Sequence, residues 1–163
     1  MKEKLAVTIF GNPDSGKSFT WNELFDSTVR TGTHIRRLYF NEIEYVEVFL
    51  VSGSPEERHL YVKDIIGNSS PTIVLCSMQY RVDATTTIDF FLQEGFTLYT
   101  QWINPGFSDQ ALLPDSLGLT SYLLYRGSTI SLRDGKISAD SRVREIKEFI
   151  YIWAKTRNLL KSN

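Results

Sequence analysis

The feature that most constrains this chain is Gly11-Asn12-Pro13-Asp14-Ser15-Gly16-Lys17-Ser18, set directly after the apolar run 4–10, KLAVTIF. It fits the pattern G-x-x-x-x-G-K-[ST]. Only certain folds accommodate that pattern. The glycines take backbone angles and close approaches that a Cβ would forbid. The loop N–H groups can then turn inward as an anion nest, and a helix starting at the lysine aims its positive end at the same point. Lys17 is the residue that would reach β- and γ-phosphate oxygens, and the Ser18 hydroxyl would be a Mg²⁺ ligand. Asn12, Pro13, Asp14, Ser15 and Phe19 complete the candidate binding segment, Gly11 to Phe19. The plainer alternative is a glycine-rich strand-to-helix turn with an exposed lysine.

The pattern needs a buried strand before it and a helix after it, and the flanking sequence predicts both. Residues 4–10 read as a buried first strand, and 17–29 as a helix with Phe19, Leu24 and Phe25 on one side. HIRRLYF and YVEVFLVS, joined by the polar NEIE, predict an antiparallel hairpin. EERHLYVKDII after Pro55 reads as a helix with Glu56 and Glu57 in its first turn, where acids suit the helix dipole. PTIVLCSM and FTLYTQWI predict strands, separated by the helix DATTTIDFFLQEG, with Asp83 as its N-cap and Gly95 as its terminator. Residues 104–120 read as a long loop. SYLLYRG and TISLRDGKIS carry strand character around an Asp134-Gly135 turn, and an amphipathic helix spans about 140–160 with Val143, Ile146, Ile150, Trp153 and Leu160 inward. This alternation predicts a three-layer α/β sandwich, its sheet mostly parallel with an antiparallel edge strand. At 163 residues, the whole chain 1–163 is expected to form one domain.

Composition narrows the partners. The net charge of −1 argues against a nucleic-acid partner. No stretch of 18 apolar residues predicts a transmembrane segment, and the N-terminus lacks the features of a signal peptide. The single cysteine, Cys76, lies in an apolar run and reads as a reduced core residue. These readings point to the cytoplasm. The basic, apolar end IYIWAKTRNLLK offers a contact for a protein partner or membrane, although its apolar positions suit packing on the sheet better.

AVTIFGNPDSGKSFTWNELF resembles the first strand, phosphate loop and first helix of P-loop NTPases of the TRAFAC class, the Ras-like GTPases among them. The likeness of layout extends to about residue 103, but only the loop is motif-specific. The resemblance implies a P-loop NTPase fold binding GTP or ATP with Mg²⁺. It also makes Asp14 a candidate for holding a monovalent cation, and Thr31 or Thr33 a candidate switch threonine on Mg²⁺; Thr33 is the metal-ligand candidate beside Ser18. Two family motifs are missing. Ser52-Gly53-Ser54-Pro55 stands where D-x-x-G would be, and QWINPG where N-K-x-D would be. The Asp of the Mg²⁺ shell and the guanine-reading Asp are therefore absent, and guanine and adenine both stay open. Arg81, following the strand PTIVLCSM, is the candidate catalytic cation beside Lys17, since an arginine supplied in cis stabilises phosphoryl-transfer charge. The expected function is a slow, GTPase-like nucleoside-triphosphate hydrolase or nucleotide-dependent switch. The alternatives are a non-catalytic nucleotide-binding scaffold, or a small ATP-dependent kinase with 104–118 as its lid.

Overall fold

The computed structural model describes residues 2–105 and 115–163. Strands and helices alternate: β1 (Lys4–Gly11), α1 (Lys17–Phe25), β2 (Arg36–Tyr39), β3 (Glu44–Val51), α2 (Val62–Ile66) and β4 (Ile73–Gln79). There follow α3 (Ala84–Gln93), β5 (Phe96–Ile103), α4 (Leu119–Tyr125), β6 (Thr129–Arg133), α5 (Asp140–Lys155) and β7 (Lys161–Ser162). The sheet runs β2-β3-β4-β1-β5-β6. β3, β4, β1, β5 and β6 are mutually parallel, whereas β2 and β7 both pair antiparallel with β3. The fold is thus mixed α/β with a mostly parallel sheet.

β1 is central and covered on both faces, which is why it reads as an unbroken apolar run. Ala6 and Phe10 enter one core with Val62, Ile88, Phe91 and Leu123, from α2, α3 and α4. Leu5, Val7 and Ile9 enter the other with Trp21, Leu24, Ile146 and Ile150, from α1 and α5. Helices therefore lie on both sides of the sheet. Among the described residues, no helix is long and apolar enough to cross a membrane.

Several elements differ from expectation. The stretch 121–127 is not a strand: Leu119 and Leu123, four residues apart, are both buried, and helix α4 results. Its tyrosines and leucines favour either state locally, and packing against the sheet face selects helix. β6 pairs parallel with β5, so Asp134-Gly135 sits in a strand-to-helix loop rather than a hairpin. α1 stops at Phe25 because Asp26 takes a left-handed conformation, φ 52°. On α1 the buried aromatic is Trp21, whose indole N–H donates to Ser77 Oγ at 2.8 Å, while Phe19 faces solvent. Residues 55–59 form turns, and only Val62–Ile66 is helical, so Glu56 and Glu57 are not first-turn helix acids. α5 ends at Lys155, after which the chain adds β7.

Candidate functional site

The chain leaves β1 for α1 on one face of the sheet and leaves the adjacent β4 for α3 on the other. Such a divergence opens a crevice at the carboxyl ends of the two strands, the place where open α/β sheets bind ligands. Register decides what meets there. Gly11 is paired with Gln79, the last residue of β4. Lys17 folds back over both: its ammonium donates to Gly11 O at 3.0 Å, Asn12 O at 2.8 Å and Gln79 Oε1 at 3.1 Å. All three acceptors are neutral, and the side chain is buried. Burial pulls the ammonium pKa from its ordinary 10.5 down to about 8, against the pull of Glu57, Glu56 and Asp14.

Both motif glycines are closely surrounded, and at Gly16 the close neighbour is backbone. A Cβ on Gly11 would lie 2.6 Å from Ser15 Oγ, and one on Gly16 would overlap Gly135 O in a residue whose φ is +106°. Asp14 is also left-handed, φ 57°. Gly16 is the N-cap of α1, and no side chain caps this end. The first-turn N–H groups of a helix have no acceptor within it. Here they open on a cavity of about 410 Å³, walled by Pro13 to Phe19, Ser52 to Ser54, Glu57 and Lys136. Gly11 and Asn12 contribute instead the carbonyls that hold Lys17.

The other walls come from opposite sides of β1. β3 lies two strands away on one side and β6 two strands away on the other. From the β3 side, the Ser52 and Gly53 N–H groups donate to Thr31 Oγ1 at 3.0 and 3.2 Å. Thr31 thus braces the cavity wall. Glu57 is exposed at the cavity, whereas Glu56 is buried. Glu56 Oε1 accepts from Thr87 Oγ1 at 2.7 Å and Oε2 from the Gln79 N–H at 3.1 Å. Burial raises the Glu56 pKa, and these hydrogen bonds oppose it.

From the β6 side, the 134–138 loop packs onto the backbone of the Gly11–Ser18 loop. A Cβ on Gly135 would overlap Ser15 O. Arg142 of α5 is 2 % exposed and holds this loop from beneath. Its guanidinium donates to the carbonyls of Asp134, Ile137 and Ser138 at 3.1 to 3.2 Å, and its Nε to Thr20 Oγ1 at 2.9 Å. Thr20 Oγ1 in turn donates to Gly16 O at 2.8 Å. A buried arginine on an amphipathic helix reads in sequence as a surface residue, so no local signal marked it. Gln79 had one: it is the polar residue ending an apolar strand at the ligand-binding edge.

Two expected residues lie elsewhere. Arg81 is exposed and paired with Asp83 at 3.1 Å, and Asp83 makes no side-chain cap bond to α3. Thr33 is exposed, with its hydroxyl 3.4 Å from His34 Nδ1. Neither lines the cavity. Most of the 104–118 segment read as a lid lies outside the described residues. Among the described residues no group of three or more His, Cys, Asp or Glu is gathered as a metal centre. The cavity does hold hard oxygen donors, the Ser18 hydroxyl and the Glu57 carboxylate. One or two such ligands suit Mg²⁺, which keeps several waters and shares the rest of its shell with phosphates. The chain matches no protein-family model, and it matches none of the curated proteins compared with it.

Proposed function

We propose that this protein binds a nucleoside triphosphate in the β1–β4 crevice, as a P-loop NTPase fold of GTPase-like kind. One observation carries the reading. A buried ammonium, Lys17, rests on three neutral acceptors beside a helix N-terminus without a side-chain cap, in the lining of a cavity of about 410 Å³. Phosphate oxygens are better partners for that ammonium than carbonyls, because a charged acceptor makes a hydrogen bond about twice as strong. On binding, Lys17 exchanges its carbonyl partners for phosphate oxygens, and the N–H groups of residues 16–19 gain an anionic acceptor. Ser18 and Glu57 would hold Mg²⁺, which when bound neutralises charge on the β- and γ-oxygens.

Hydrolysis on this reading is slow. Glu56, the acid nearest Gln79, has both oxygens engaged, and Arg81 is paired at the surface. The same two observations favour a second reading, a nucleotide-dependent switch or scaffold with little turnover. Thermal denaturation with ATP, GTP, ADP and GDP, each with and without Mg²⁺, tests binding, with Lys17→Ala as control. Ligand at a hundred times its Kd adds about 2.7 kcal/mol, or about 5–10 °C in a chain of this size. If no nucleotide shifts the wild type, the proposal is wrong. If one does, and phosphate release stays at background over hours, the switch reading replaces hydrolysis.

A further inference from the structure

Lys136 lies outside the sequence motif, in the loop between β6 and α5, yet its side chain lines the same cavity as Lys17 and Ser18. Its placement is built from backbone. Gly135 is packed against the Ser15 carbonyl, and the buried Arg142 grips the carbonyls on both sides of it. Gly135 and Arg142 therefore hold the loop's backbone, and the exposed Lys136 side chain lies along the cavity wall. Its Nζ donates to the backbone carbonyl of Asp14, within the phosphate loop itself. Among the described residues no carboxylate pairs with it, although other surface lysines and arginines have such partners. An exposed ammonium laid on a carbonyl is a cation with a weak partner next to a site suited to polyanions.

Resting on the nucleotide reading above, we infer that Lys136 is the second phosphate-binding cation of this cavity, in the place expected for Arg81. When a polyphosphate enters, Lys136 gives up the Asp14 carbonyl for a phosphate oxygen. The ligand is then held by cations from two directions: Lys17 from the floor of the crevice, and Lys136 from the β6 side. Two lysines offset the two negative charges that a fully ionised nucleoside triphosphate keeps once it carries Mg²⁺. The chemistry recognised is the polyphosphate chain, so it is shared by ATP, GTP and inorganic tripolyphosphate.

The experiment measures Kd for Mg²⁺–ATP, Mg²⁺–GTP and Mg²⁺–tripolyphosphate by calorimetry on the wild-type chain, Lys17→Ala, Lys136→Gln and Lys136→Arg, together with the ligand-free Tm of each. Lys136→Gln is expected to weaken every ligand that the wild type binds about tenfold, with its ligand-free Tm unchanged and Lys136→Arg recovering most of the loss. If the wild type binds these ligands and Lys17→Ala does not, but Lys136→Gln binds within twofold of wild type, the inference falls while the nucleotide reading stands. A loss that Lys136→Arg does not recover, or that comes with a lower ligand-free Tm, overturns it as well, because Lys136 would then be only a strut for the loop. If the wild type binds none of the three, the nucleotide reading has failed, and this inference with it.

Discussion

Lys17 makes a prediction that needs no ligand. Its ammonium is buried, and its pKa falls from 10.5 to about 8 on folding. A lysine lowered in this way is disfavoured in the folded state while it is charged. Below pH 8 both states carry the proton, and the folded state bears the full penalty. Between pH 8 and 10.5 the unfolded chain binds more protons than the folded one, so stability rises with pH. At about 1.4 kcal/mol for each tenfold in the proton equilibrium, the gap between 10.5 and about 8 corresponds to about 3 kcal/mol. Lys17→Met removes the titration. Urea denaturation of wild type and Lys17→Met from pH 7 to 10.5 isolates the effect, because titrations common to both cancel in the difference. The stability of wild type relative to Lys17→Met should climb by about 3 kcal/mol across that range. A difference that stays flat within about 0.5 kcal/mol would show that the ammonium is not desolvated as its burial requires. Opposite behaviour is expected of phosphate binding, which favours charged Lys17: affinity should fall as pH rises through 8.

Two further expectations concern the loop against the cavity. Gly135→Ala places a methyl group on the Ser15 carbonyl, so the 134–138 loop must withdraw; the expected cost is about 1–3 kcal/mol by denaturant titration, and a variant as stable as wild type would contradict the packing. Arg142→Met leaves the carbonyls of Asp134, Ile137 and Ser138 without their buried donor; the expected loss is about 2–4 kcal/mol, with faster amide exchange in residues 134–138 by hydrogen–deuterium exchange, and unchanged exchange there would refute the clamp.

Much of the candidate site was legible because it is local. The Gly11–Ser18 spacing, the apolar run before it and the helix after it belong to one continuous stretch, so steric needs of the loop are written beside it. The antiparallel β2–β3 pair and α3 were readable for the same reason: alternation and a closing Gly95 with φ 82° are short-range signals. The misreadings occurred where local preference was ambiguous. LTSYLLY suits strand or helix, and only the spacing of Leu119 and Leu123 against the sheet selects helix. Glu56 and Glu57 resembled helix-start acids, yet the chain makes turns there, burying one and presenting the other to the cavity.

The Gly11–Ser18 loop, its lysine and the layered alternation of strands and helices follow from the sequence alone, since each depends on contacts within a few residues. Tertiary structure decided which residues join that segment. The strand order put Gln79 rather than the end of β3 beside Gly11, and it brought Lys136 from across the sheet while leaving Arg81 outside. Such neighbours are set by strand register and by the packing of Gly135 and Arg142, contacts between residues up to 122 positions apart. No window along the chain contains both partners of such a contact, so no local pattern could carry it.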